Sequence, residues 1–120
     1  MTSKSCVVKD YMAQTLVTFK PDTDVLDAVH VLVSKRIAGA PVVDDAGNLI
    51  GMLSELDCMK VALQAGYHGN WGGPVSDFMS DGVKTVDGEM NIVDLAQEFT
   101  ETSFRRFPVM RNNRLIGQIS

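Results

Sequence analysis

Two short phrases hold the residues best placed for chemistry. GMLSELD, Gly51–Asp57, sets a hydroxyl at Ser54 three residues ahead of a carboxylate at Asp57. RRFP, Arg105–Pro108, sets two adjacent guanidinium groups ahead of a proline. Ser54 and Asp57 read as a helix N-cap and an acidic first-turn residue. The same hydroxyl, with the free N–H groups of a helix start, also favours an anion. Arginine gives fork-shaped, charge-assisted contacts to phosphate. Neighbours on a strand point to opposite faces, so Arg106 is the first choice for such a contact and Arg105 the second. Catalysis has no comparable support. His30 falls on a helix and His68 in a linker, and neither is brought to a cysteine or serine. Cys6 and Cys58 stand in unrelated contexts without metal-ligand spacing and read as free thiols. With no nucleophile–base pair, no metal cluster and no paired carboxylates, an enzyme is not expected.

The chain that must position these residues has 120 of them, a net charge of −4, 45% apolar and 22% charged side chains. That is enough for a core, and the scattered cations argue against nucleic acid as a partner. No apolar run approaches a membrane span, and the N-terminus lacks a secretory pattern, so a cytoplasmic protein is expected.

The chain is also written twice. At an offset of 67 residues, VKDYM (Val8–Met12) falls on VSDFM (Val75–Met79), Asp27 on Asp94, and APVV (Ala40–Val43) on FPVM (Phe107–Met110). One residue fewer in a turn makes the offset 66, and LIGMLS (Leu49–Ser54) falls on LIGQIS (Leu115–Ser120). Each copy reads as a short helix carrying the V-x-D-aromatic-Met pattern, then β-α-β-β-α. LVTF and VKTV are the first extended segments. Asp22 or Thr23 is the expected cap of the next helix, whose core stripe is Val25, Val29, Leu32 and Val33. The second copy repeats the stripe with Ile92, Val93, Ala96 and Phe99. A hairpin follows, Ala40–Val43 with Leu49–Ser54, turned by DDAGN in one copy and more tightly by RNNR in the other, where asparagine tolerates positive φ. A helix from Glu55 to about Ala65 closes the first copy. AGYHGNWGGP, residues 65–74, is a Gly-rich linker; Trp71 in it is expected to cap the core or a dimer contact, and His68 to be exposed. The expected division is 1–65, linker 66–74, and 75–120, the last lacking its final helix.

Two β-α-β-β-α units, each with Pro-Val ahead of h-h-G-h-h-S and, in the first copy, an Asp three residues on, resemble a tandem pair of cystathionine-β-synthase (CBS) domains, a Bateman module. The resemblance runs from about Val7 to Ser120, and the start at Met1 with a short lead-in favours a freestanding, bacterial-type pair. It implies a mixed α/β (α+β) fold of two pseudo-symmetric units packed through their sheets. It implies a non-catalytic regulatory module that binds AMP, ADP, ATP or S-adenosylmethionine, sometimes a dinucleotide, with no cofactor required. A homodimer and a regulated protein partner are implied as well; the alternative is a ligand-free dimerisation module.

Carried over by position, the first cleft would take Met52, Ser54 and Asp57 from one unit and Val83, Lys84, Arg105, Arg106, Phe107 and Pro108 towards the other. Asp57 would accept the ribose hydroxyls, Arg106 and Lys84 would meet phosphate, and Val83, Phe107 and Met52 would face adenine. The second cleft would take Leu16, Val17, Ala38, Gly39, Ala40 and Ser120. It has no arginine on its phosphate side and no aspartate after Ser120, so it is expected to be weak or empty, in a chain trimmed at its C-terminus.

Overall fold

The computed structural model describes residues 6–14, 16–69, 72–104 and 106–120, without the side chains of Tyr67 and His68. Trp71, Arg105 and the His68 side chain therefore lie outside the described residues. The order is a 3-10 turn at Val8–Asp10, α1 (Val25–Lys35), β1 (Gly39–Val43), β2 (Leu49–Ser54), α2 (Glu55–His68), a 3-10 turn at Val75–Asp77, β3 (Val86–Asp87), α3 (Ile92–Glu101), β4 (Phe107–Arg111) and β5 (Arg114–Ile119). None of the described helices is long and apolar enough to cross a membrane.

The chain folds into two compact units. One is continuous, Val17–Val83; the other is split, joining the stretch that ends at Leu16 to Lys84–Ser120. Compact unit and sequence repeat are thus different divisions. In the continuous unit Val25 N–H donates to Gly73 O at 2.9 Å and Val75 N–H to Thr23 O at 2.8 Å. In the split unit Ile92 N–H donates to Cys6 O at 2.9 Å and Val8 N–H to Met90 O at 2.9 Å. These are the same bonds at the repeat offset, and each joins the lead-in turn of one copy to the helix of the other.

The lead-in turn also explains the glycine of each hairpin. Met52 and Ser80 exchange two backbone bonds at 2.9 Å. Ala13 and Gln118 do the same at 2.9 and 3.1 Å. The chain lies so close that a Cβ on Gly51 would stand 2.6 Å from Met79 Sδ and 3.0 Å from Ser80 O. A Cβ on Gly117 would meet Met12 Sδ and, at 2.8 Å, Ala13 O. So the methionine of V-x-D-aromatic-Met and the glycine of h-h-G-h-h are two halves of one packing contact.

β1 and β2 form an antiparallel pair, and β4 and β5 form another that β3 joins in parallel. Both hairpins carry a bulge at the same repeat position, between Val42 and Val43 and between Val109 and Met110. The first extended segment of the first copy is reduced to a bridge from Phe19 to Val42. Asp44 holds the longer turn by accepting from Ala46 N–H at 3.0 Å and Asn48 N–H at 2.8 Å. Asn112 and Asn113 turn the shorter one with φ of 50° and 65°, the conformation that a two-residue hairpin demands.

The helix caps and stripes differ from expectation. Asp24, not Asp22 or Thr23, caps α1 by accepting from Leu26 N–H at 2.9 Å; Thr23 Oγ1 instead accepts from Lys20 N–H at 3.1 Å. Asn91, the repeat equivalent of Asp24, caps α3 by accepting from Val93 N–H at 2.7 Å. The helix α1 buries Val25, Ala28 and Leu32, and Val33 is 72% exposed. In α3 Leu95 is buried, Ile92 and Phe99 pack beside it, and Val93 is 72% exposed; Ala96 also faces outward. The lead-in elements are single 3-10 turns rather than helices, and α2 runs to His68, a turn beyond Ala65.

The continuous unit packs Phe19, Val25, Leu32, Val42, Leu53 and Phe78 among others into its core. The split unit packs Val8, Val86, Leu95, Phe107, Val109 and Ile119. Truncating one such side chain, Leu53 for example, costs about 2–5 kcal/mol.

Candidate functional site

In the continuous unit the site grows from the junction of β2 and α2. Ser54 ends the strand in extended conformation and caps the helix. Its Oγ accepts from Asp57 N–H at 3.4 Å and donates to Asp57 Oδ2 at 3.0 Å, while Ser54 N–H donates to the same oxygen at 2.8 Å. This capping box satisfies donors that a helix start leaves free. Another, Glu55 N–H, donates to Ala38 O at 3.0 Å.

Asp57 is only 1% exposed. Its second oxygen, Oδ1, has longer partners: Ser80 Oγ donates at 3.4 Å and Lys60 Nζ stands at 3.6 Å. One oxygen is therefore committed to the helix cap and the other is loosely held. Ser80 and Lys60 were not among the residues assigned from sequence. Ser80 had a signal, since it follows the V-x-D-aromatic-Met pattern directly where the other copy has Ala13.

Met52 is half-buried, and by strand alternation it stands on the sheet face opposite Leu53 and the core. Val83, at the end of this unit, is half-buried too. Val17 packs against the core cluster and Ala38 is half-buried, whereas Gly39 is buried and Ala40 is a core residue. Ala40 can therefore bring only its backbone to a ligand.

In the split unit Arg106 is half-buried directly ahead of β4. Arg105 lies outside the described residues. Lys84 Nζ is already paired, 2.8 Å from Glu98 Oε1, which reduces the charge it offers to phosphate. Phe107 was expected to face adenine, but it points into the core, its ring centroid 4.8 Å from that of Phe99 and 5.9 Å from that of Phe104. Alternation explains this: Phe107, Val109 and Ile119 share the core face, and Pro108, fully buried, takes the other. Leu16 is half-buried and Ser120 is exposed at the end of β5.

The repeat equivalent of Met52 is Gln118, which sequence reasoning passed over. Its Oε1 is buried without a hydrogen-bond partner among the described residues. An unpartnered buried acceptor costs about 1–3 kcal/mol. A hollow lies elsewhere on the split unit. It has a volume of about 430 Å³, is bordered by the Lys9–Glu89 ion pair, Asp87 and Arg111, and contains none of the residues assigned to a site.

Burial and nearby charge act together on one thiol. Desolvation, with the carboxylates of Asp57 and Glu55, pushes Cys58 above the usual cysteine range.

Comparison with known proteins accounts for both the repeat and the shared geometry. The family model described as CBS domain matches residues 8–64 and 75–120. CBSX2 of Arabidopsis thaliana, a chloroplastic CBS domain-containing protein, is 31% identical over 92% of this chain. YhcV of Bacillus subtilis, another CBS domain-containing protein, is 30% identical over 94% of this chain and 79% of its own length. Protein MJ1225 of Methanocaldococcus jannaschii is 26% identical over 94% of the chain. The chain spans 39% of the length of MJ1225 and 58% of that of CBSX2. Among solved structures, CBSX2 in complex with AMP superposes with a TM-score of 0.83 at 35% identity, covering 95% of this chain and 89% of that one. The chain belongs to the CBS domain family and carries two copies of the domain.

Proposed function

We propose that this chain is a regulatory module that binds an adenine nucleotide through Ser54, Asp57 and Arg106. The observation that carries the reading is its likeness to CBSX2, solved in complex with AMP, at 35% identity and a TM-score of 0.83. The chemistry of the residues supports it. Asp57 Oδ1 is held only by partners at 3.4 and 3.6 Å, so a ribose hydroxyl can replace them. Arg106 has no ion-pair partner among the described residues and brings a guanidinium to phosphate. Met52 and Val83 supply apolar surface, and Lys84 joins by exchanging Glu98 for phosphate. Binding regulates a homodimer or a protein partner only if the ligand prefers one of two states.

Calorimetric titration with AMP, ADP, ATP and S-adenosylmethionine tests this. Micromolar binding of one of them is expected, with Asp57→Ala weakening it by about 1–3 kcal/mol. Arg106→Ala is expected to weaken ADP and ATP more than adenosine. Silence from all four would sink the proposal.

One observation favours a second reading, a ligand-free dimerisation module. Asp57 Oδ2, Lys84 and Phe107 are already engaged within their own units. That reading expects a dimer by light scattering whose mass and melting temperature ignore every nucleotide.

A further inference from the structure

We propose that the hollow of the split unit is a ligand site in its own right, one that takes a basic α-amino acid of the lysine type. It lies wholly within that unit and has a volume of about 430 Å³. Asp10, Asp87 and Arg111 line it, and Met12 and Ile116 give it apolar surface. The continuous unit shows what closes the same corner. Lys20 and Asp44 occupy the repeat positions of Asp87 and Arg111. There Lys20 Nζ donates to Asp44 O at 3.0 Å and stands 3.6 Å from Asp45 Oδ1, so a cation reaches from the loop before α1 to the hairpin turn. In the split unit the charges are exchanged, aspartate for lysine and arginine for aspartate, yet the two do not meet. Among the described residues neither Asp87 nor Arg111 has an ion-pair partner. Asp87 Oδ1 instead accepts from Glu89 N–H at 2.8 Å, within the loop ahead of α3. The corner that a lysine bridges in one unit is open in the other.

The charges left over name the occupant. Lys9 and Glu89 neutralise each other at the border of the hollow. Two carboxylates, Asp10 and Asp87, and one guanidinium, Arg111, remain. A guanidinium fork takes a carboxylate through two parallel bonds. Each aspartate, an acceptor only, takes an ammonium. One carboxylate and two cations on a single small molecule make a basic α-amino acid, and its methylene stem suits Met12 and Ile116. The volume is within the range of small-molecule sites. A bare metal ion fits less well, since no group of three or more His, Cys, Asp or Glu among the described residues could hold one. The site shares no residue with the proposed nucleotide site, so the two readings stand or fall separately.

The test titrates the isotope-labelled chain with L-lysine, L-glutamate and cadaverine, which is lysine without its carboxylate, and follows the backbone amides by NMR. The contacts are exposed charges, so L-lysine is expected to bind with a Kd of about 1 mM. The amides of Gly88, Glu89 and Ile116 should shift, and those of β1 and β2 should not. L-Glutamate and cadaverine are each expected to bind about tenfold more weakly or worse. Arg111→Gln should weaken L-lysine by about three- to tenfold and leave cadaverine unchanged. Asp87→Asn keeps the loop acceptor, drops the charge, and should weaken L-lysine by a similar factor. Equal affinity for L-lysine and L-glutamate overturns the inference. So does L-lysine binding that Arg111→Gln leaves unchanged, and so does the lack of a saturable shift up to about 20 mM L-lysine. Asp87 and Arg111 are both exposed, so the variants should fold; should one fail, the three ligands on the wild type decide alone.

Discussion

Replacing Asp57 by alanine removes a carboxylate that is 1% exposed and closes the capping box of α2. Losing the acceptor of the Ser54 hydroxyl, now at 3.0 Å, costs about 1 kcal/mol. The Ser54 N–H, now bonded at 2.8 Å, is left part-buried without its acceptor, which adds about 1–2 kcal/mol. The ion pair with Lys60, at 3.6 Å and with a lysine side chain 57% exposed, adds at most about 0.5 kcal/mol. Together Asp57→Ala should lower stability by about 2–3 kcal/mol without any ligand present. At a urea slope of about 1–2 kcal/mol/M, the unfolding midpoint should fall by roughly 1–3 M. Ser54→Ala breaks the same reciprocal pair, so the double variant should cost less than the sum, with a coupling of about 1 kcal/mol. Urea unfolding followed by circular dichroism reads all three. A wild-type midpoint for Asp57→Ala, or strict additivity with Ser54→Ala, would refute the reasoning and leave Asp57 as a residue of the ligand alone.

Other expectations follow from the same contacts. Gly51→Ala should destabilise by about 1–3 kcal/mol, because its Cβ would stand 2.6 Å from Met79 Sδ. Met79→Ala should recover part of that loss in a double-mutant cycle, and additive costs would show that the two do not touch. Glu98→Gln frees Lys84 from its 2.8 Å partner, so ATP and ADP should bind a few-fold tighter and adenosine unchanged; competition calorimetry distinguishes them. Cys58, with its raised thiol pKa, should alkylate more slowly than exposed Cys6 at neutral pH, as read by mass spectrometry of the labelled peptides. Equal rates would mean that the burial of Cys58 does not persist in solution.

Much of the fold was legible because local rules and the global arrangement agree. The repeat, the hairpins and the Asn112–Asn113 turn each follow from residue type and spacing. The caps were legible as a kind of residue but not as a position. Pro21, Asp22, Thr23 and Asp24 make a run in which three side chains can cap; Asp24 does so, beside the tertiary bond from Val25 N–H to Gly73 O, while Thr23 Oγ1 accepts from Lys20 N–H. Val33 is exposed because the buried stripe runs through Val25, Ala28 and Leu32. Repetition identifies which segments are alike, but not which copy of a lead-in docks on which hairpin. At the site, Ser54, Asp57 and Arg106 were readable as chemistry. Their companions were not: Ser80 reaches Asp57 from 23 residues away, and Glu98 meets Lys84 through the packing of α3. Phe107 was carried over by its position ahead of Pro108, and position alone says nothing of strand parity, which turns it into the core.

The exchange of lead-in turns gives the chain an order in time. During synthesis, everything the continuous unit needs has appeared once Val83 is made, whereas the Val8 turn is made first and waits for Met90 and Gln118. Until Ser80 is made, the Gly51 hairpin is complete and lacks its own lead-in, and the waiting turn carries the same V-x-D-aromatic-Met pattern. The early turn is therefore a rival for the wrong glycine. Among the residues that distinguish the two turns is Ser80, whose hydroxyl reaches Asp57 where Ala13 offers only a methyl group.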